Sequence, residues 1–227
     1  MPATKDNVLE YKGRIYVIGQ GRMGKQETKT ENDNYYLLAN DKVTFFYEGV
    51  RYVIYFGKVR VFAQCHAAIA NRMEGMDRLT AVDCGSWTLD IMSVVNKVPM
   101  LDDCHTYQLG LITAIDRIQK ECYAACGKEL PEYIINEVIE KGDTDAITRN
   151  KEAIMEVINA GLKRYAGEVE AKLRELKIDF DFTNVVYVGG GASVMRRFGS
   201  NTGDNVRFVT DVRANALGYE YLAENLE

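Results

Sequence analysis

Apolar residues in this chain alternate with polar ones in short runs near the start and recur at helical spacing later. Residues 8–11 and 14–19 are two β-prone runs around Lys12-Gly13, which predicts a hairpin. A polar stretch over 26–34 follows, and 35–39 reads as one turn of helix. A second hairpin is predicted from 43–47 and 52–56 around Glu48-Gly49, then a β-rich run at 59–62 and an Ala-rich helix over 64–73. A short apolar strand at 79–83 ends in an acid; 84–88 is a turn, and 89–95 a further strand. Leu109, Ile112, Ile115, Ile118 and Cys122 predict an amphipathic helix over 106–126 that stops at Gly127. Pro131 opens a short helix ending near Gly142. The stripe Ile154, Val157, Ile158, Leu162, Tyr165, Val169 and Leu173 predicts a long helix over 145–176. Its charges (Lys151, Glu152, Glu156, Lys163, Arg164, Glu168, Glu170) lie mostly opposite that stripe and read as a solvated face. A buried strand at 184–188 runs into Gly189-Gly190-Gly191 and a helix, then come a strand at 206–209 and a closing helix over 214–222. Mixed strands and helices in this order predict an α/β protein.

Composition narrows the picture. With 227 residues, 47% hydrophobic and 27% charged, the chain can bury one good core or two small ones. No run approaches the roughly 18 apolar residues of a membrane span, and residues 1–6 lack the apolar core of a secretory signal. A soluble, cytoplasmic protein with no membrane partner is expected. A net charge of −5 argues against direct nucleic-acid binding over the whole chain, although Arg196 and Arg197 are adjacent. The five cysteines, an odd number in a mid-sized chain, read as reduced thiols. Cys122 and Cys126 share a helix face and Cys104-His105 is near in sequence, but the tight CxxC pairs of zinc sites are absent. Buried thiols are the better account. His66 and His105 read as partly buried polar side chains rather than bases.

Two segments carry candidate chemistry. In Ala81-Val82-Asp83-Cys84-Gly85-Ser86-Trp87-Thr88-Leu89-Asp90 a strand delivers Asp83 to a turn of small residues. Backbone amides can approach an anion closely there, and Asp83 suits Mg2+, which favours oxygen ligands and keeps its water. A hairpin turn with one stray acid is the plainer alternative. In Val185-Val186-Tyr187-Val188-Gly189-Gly190-Gly191-Ala192-Ser193 an apolar strand ends in glycines where a ligand can lie against backbone. Neither the G-x-G-x-x-G fingerprint nor a G-x-x-x-x-G-K-[ST] loop is present.

Together these segments resemble the second phosphate loop and the adenosine loop of the actin, Hsp70 and sugar-kinase superfamily. Asp83 to Asp90 is similar to the D-x-G-G-x-T-x-D pattern of its ParM/StbA plasmid-segregation branch. Residues 9–19 resemble that branch's first hairpin, 59–68 its interdomain strand and helix, and Arg213-Ala214-Asn215-Ala216-Leu217-Gly218-Tyr219 its closing A-N-A-x-G-[YF] helix. The resemblance implies an actin-like (ribonuclease H-like) α/β fold with a largely complete second domain. It divides the chain into a first-domain remnant at 1–63, a second domain at 64–213 and a returning helix at 214–227. Asp83 would be the Mg2+-linked acid, and Gly85, Ser86, Trp87 and Thr88 would line the β- and γ-phosphates. Gln64 would orient the attacking water, and Gly189, Gly190, Gly191 and Ala192 would pack on the adenosine and α-phosphate. The implied cofactors are ATP or GTP with Mg2+. The implied partners are further copies in a filament or oligomer and a DNA-bound adaptor protein.

Two family features are missing from the pattern. Residues 1–7 contain no D-x-G-N-type first phosphate loop, and Asn40-Asp41-Lys42 passes straight into the second hairpin where the family carries a long helix and a G-L-P strand. A non-catalytic scaffold that no longer hydrolyses nucleotide is therefore the alternative expectation. A sugar kinase or chaperone finds no support in the flanking motifs.

Overall fold

The computed structural model describes residues 8–11, 14–17, 42–55, 62 and 64–225. The predicted helical turn at 35–39 and the β-rich run at 59–61 lie outside them. Strands β1 (Val8–Tyr11) and β2 (Arg14–Val17) pair antiparallel, as the first hairpin requires. β3 (Lys42–Tyr47) and β4 (Val50–Tyr55) form the second, with Glu48 and Gly49 both at positive φ (49° and 77°). Such values suit the tight turns that join two twisted strands.

The centre is a five-stranded mixed sheet in the order β7-β6-β5-β8-β9. Its strands are β5 (Arg78–Cys84), β6 (Leu89–Val95), β7 (Val98–Tyr107), β8 (Asn184–Val188) and β9 (Val206–Val209). β5, β6 and β7 form an antiparallel meander, while β5, β8 and β9 run parallel. Side chains alternate between the two faces. Val82, Cys84, Val185 and Tyr187 join the larger core, and Leu79, Ala81, Val186 and Val188 join the smaller one on the other face.

The larger core is covered by α2 (Leu111–Cys126), α3 (Glu132–Lys141), α4 (Lys151–Glu175) and α5 (Ala192–Phe198). The smaller face is covered by α1 (Gln64–Ile69), and α6 (Ala214–Asn225) packs on α1. That contact is close: a Cβ on Gly218 would lie 1.6 Å from the Ala67 carbonyl oxygen. The α2–α4 crossing is also close, since a Cβ on Gly161 would come within 2.2 Å of Ile118 Cγ1. Arg197 of α5 donates to the Val138 and Ile139 carbonyls at 2.7 and 3.3 Å, joining the Gly142 amide on Val138 O at the C-terminus of α3.

Several expected boundaries move. α1 ends at Ile69 rather than 73, because Ala70 and Arg72 turn back to the Ala67 and Ile69 carbonyls and the Arg72 guanidinium donates to Ala68 O. β7 is absent from the sequence reading, which expects helix from 106. Its Pro99 and paired acids Asp102 and Asp103 hide an edge strand, whose outer side needs no apolar pattern. α2 starts at Leu111, so Leu111 and Ala114 are buried where Ile112 is only half-buried. α4 starts at Lys151 rather than 145. Buried Thr144 holds the preceding loop by donating to Glu137 Oε2 and accepting from the Ala146 amide, and Asn150 adopts φ 55°. Val157 is half-buried, and Glu170 does not belong to the solvated face. It is 6% exposed and accepts from the Ser200 amide and hydroxyl at 2.5 and 2.7 Å.

No helix among the described residues is long and apolar enough to cross a membrane.

Candidate functional site

The carboxyl ends of the parallel neighbours β5 and β8 meet at one place. Ligands of open α/β sheets bind at that end of the strands. β5 ends with Asp83 and Cys84, and Asp83 is paired with Val188, the last residue of β8. The two loops leaving these strands touch. The Gly191 amide donates to Cys84 O at 3.0 Å. Gly189 stands at φ 82°, and a Cβ there would sit 2.5 Å from Asp83 Oδ1 and 2.9 Å from Cys84 O. A Cβ on Gly191 would meet Cys84 Cβ at 2.5 Å. These two glycines are required by close approach rather than by the turn alone.

The 85–88 turn is closed by a bond from Gly85 N to Thr88 O at 3.0 Å and sits on the N-terminus of α2. Leu111 N donates to Gly85 O and Ile112 N to Ser86 O, both at 3.0 Å, so turn carbonyls cap a helix whose N-cap, Gly110, offers no side chain. A Cβ on Gly110 would lie 2.2 Å from Ser86 O, which explains the residue. A trans peptide points its N–H opposite to its C=O. The amides of Ser86 and Trp87 are therefore aimed away from α2, as donors an anion could reach. Ser86 and Trp87 are exposed, Trp87 at 69%.

Asp83 itself is buried, and its Oδ2 accepts from Asn215 Nδ2 of α6 at 3.0 Å. Thr88 donates its hydroxyl to Asp90 Oδ2 at 2.9 Å, and Thr106 donates to Asp90 Oδ1 at 2.5 Å. In this arrangement the Thr88 proton is directed to Asp90. Gln64 is the first residue of α1; its side chain lies outside the described residues. The next residue, Cys65, is buried beside the same acids, with Sγ 3.9 Å from Asp90 O. Gly190 and Ala192 follow in the glycine loop, Ala192 fully buried at the start of α5.

The thiols here are not nucleophiles. Burial, followed by the charge of Asp83, pushes the Cys84 thiol up, and Cys65 is raised in the same way with Asp90 adding to it. Tyr165 of α4 is also raised, by burial first and by Cys84 second. Its hydroxyl is hydrogen-bonded to Cys84 and reaches Leu109 O at 3.5 Å, under the turn.

Sequence reasoning missed Asn215 and Gly110 as members of this site. Asn215 stood in the closing motif without a role, and only its position three residues before Gly218 hints that it shares the face toward the sheet. The other weighed residues lie elsewhere. The five cysteines are free thiols. Among the described residues no group of three or more His, Cys, Asp or Glu could hold a metal by itself. His66 is buried with Nε2 3.3 Å from Lys97 O, and His105 is half-buried beside Tyr107. A groove of about 330 Å³ lined by Arg78, His105, Lys177 and Phe182 lies at the opposite end of β5 from Asp83.

A model of the C-terminal domain of archaeal MreB-like actin homologues matches residues 81–198, more than half the chain. The chain belongs to this family. Among solved structures, the fold is similar to the archaeal actin homolog Ta0583 in complex with ADP, at 20% identity and a TM-score of 0.68, covering 87% of this chain and 68% of that one. It is also similar to Bacillus thuringiensis ParM with ATP, at 17% identity and a TM-score of 0.59, covering 80% and 59%. A pCBH ParM non-polymerisable quadruple mutant matches at 18% identity and a TM-score of 0.63, covering 87% and 65%. The fold is actin-like. The chain spans 65% of the length of native Ta0583. No curated protein matches the sequence.

Proposed function

We propose that this chain is an actin-like nucleotide-binding protein that holds ATP or GTP with Mg2+ between the 83–88 turn and the 189–192 loop. By its likeness to the ParM/StbA type, it self-associates into filaments and serves plasmid or phage DNA segregation through a DNA-bound adaptor. The observation that carries this reading is the contact of the two loops at the carboxyl ends of β5 and β8, with Gly189 against Asp83 and Gly191 bonded to Cys84. Solved structures of similar fold are described as complexes with ADP, ATP or AMPPNP, which supports the reading. One is described as a non-polymerisable variant, which supports assembly.

The residues fit the group. Asp83 offers a hard oxygen, and Mg2+ in nucleotide sites needs only one or two protein carboxylates beside phosphates and water. Bound there, Mg2+ would neutralise phosphate charge. The Ser86 and Trp87 amides would face the phosphates, and Gly189, Gly190, Gly191 and Ala192 would let the nucleotide lie against backbone. Gln64, next to Cys65 beside Asp83 and Asp90, would position a water. In the same reading, 1–63 are the remnant of a first domain, 64–213 form the second, and 214–227 return toward the first.

One observation favours a second reading, a scaffold that does not hydrolyse nucleotide. The Thr88 proton goes to Asp90, so its hydroxyl offers no donor to a phosphate oxygen, which only accepts.

Trp87, the single tryptophan, lies on the turn and reports on the site. Its fluorescence should change saturably with Mg-ATP or Mg-GTP in the wild type, and the response should be lost in Asp83→Ala. An unchanged affinity in that variant would remove the 83–88 turn from the nucleotide site. Phosphate release and sedimentation with nucleotide then separate a hydrolysing filament protein from a silent scaffold.

A further inference from the structure

We infer that Asn215 is a positioning residue for the Asp83 carboxylate, and that its own oxygen accepts a hydrogen bond from a water held by a divalent cation at that carboxylate. The inference rests on the nucleotide reading above. Asn215 lies on α6, 132 residues from Asp83, and its Nδ2 donates to Asp83 Oδ2 at 3.0 Å. Which end of the amide faces the acid is fixed chemically, since an ionised carboxylate only accepts and only the amide nitrogen donates. The other end, Oδ1, is buried and has no hydrogen-bond partner among the described residues. Buried acceptors in native folds are nearly always paired, so one without a partner calls for an explanation.

The surroundings restrict what that partner can be. The other oxygen of Asp83 faces Gly189 with no room to spare, since a Cβ there would lie 2.5 Å from Oδ1. Asn215 cannot slide away, because α6 is locked one turn later by Gly218 against Ala67 O. An amide oxygen accepts and does not donate, so it repels a phosphate oxygen and suits a proton donor. A water polarised by a divalent cation is such a donor, and it also finds Asp83 beside it. Groups that orient a metal's ligands in this way typically contribute about 10- to 100-fold in metal affinity. Through Asn215, the closing helix is tied to an acid 132 residues away in sequence.

The test uses the full chain and calorimetry with ATP, once with Mg2+ and once with EDTA, on the wild type, Asp83→Ala, Asn215→Ala and the exchanged pair Asp83→Asn with Asn215→Asp. Thermal melts are recorded for each. In the wild type Mg2+ should tighten binding. In Asn215→Ala the Mg2+-dependent gain should fall by about tenfold. The exchanged pair keeps one amide and one acid in contact, so it should recover the melting temperature without recovering the Mg2+ gain. A merely structural Asn215 would move the melting temperature and leave the Mg2+ gain intact, which would overturn the inference while the nucleotide site stands. Should Asn215→Ala fail to fold, the exchanged pair decides: recovery of the Mg2+ gain there would overturn the inference. No binding of ATP by the wild type would overturn the nucleotide reading and this inference with it.

Discussion

Gly127, which ends α2, and Gly189 of the glycine loop have different physical duties. Gly127 stands at φ 64° with nothing within 4 Å of the place a Cβ would take, so only backbone preference selects it. Gly189 adds to its φ of 82° a collision with the Asp83 carboxylate. Replacing Gly127 by Ala should cost about 1 kcal/mol. Replacing Gly189 by Ala should cost about 2 kcal/mol or more, because strain and overlap add. Equilibrium urea unfolding of the two variants checks the difference, and equal costs would mean that the loop moves away from Asp83 freely. His66 supplies a second prediction at this scale. Burial, only partly offset by its bond with Lys97 O, pushes its imidazole below the ordinary value of 6.5, so the folded state holds the ring neutral. As pH falls below that value the unfolded chain takes up the proton first, and the contribution present at neutral pH is lost on acidification. Melting temperature followed from about pH 8 to pH 5 should drop less in His66→Gln than in the wild type.

Elements were legible where their signal is local. The two hairpins, β5, β6, β8, β9 and α3 follow from alternation, turn residues and caps within a few positions. The failures share a cause: tertiary partners replaced the local signal. β7 carries Asp102 and Asp103 because it is an edge strand, and its register is set by pairing with β6, including a shift between Met92 and Val94. α2 begins at Leu111 because the carbonyls of Gly85 and Ser86 cap it from another part of the chain. Glu170 looks like a surface charge on a helical wheel, yet Ser200 folds back to satisfy it. At this scale the α1–α6 contact is the most exacting. Gly218→Val should lower stability by about 2 kcal/mol or more by forcing the helices apart. It should also weaken Mg2+-dependent nucleotide binding, since Asn215 rides on α6. A melting curve and a nucleotide titration on one preparation read both effects. A loss of stability with an unaltered Mg2+ response would show that α6 does not transmit to Asp83.

For the whole molecule, the sheet order β7-β6-β5-β8-β9 does what sequence order cannot. It sets β5 beside β8, although α2, α3 and α4 intervene, and so joins an acid-ended strand to a glycine-ended one. The candidate site therefore existed in the sequence as two separate segments, Asp83 to Thr88 and Gly189 to Ala192, with no local reason to meet. Their parallel pairing, Asp83 opposite Val188, supplies that reason.

Sequence alone determined the α/β class, the apolar faces and the two glycine-marked turns, because periodicity and backbone permissiveness act over a few residues. It also carried the motifs that resemble an actin-like protein. Only the tertiary structure decided that Asn215 bonds Asp83, that the Ser86 and Trp87 amides face away from α2, and that Thr88 turns to Asp90. Each of these is a hydrogen bond, or follows from one, whose partner is chosen by packing, and packing is a property of the assembled sheet and helices rather than of any segment within it.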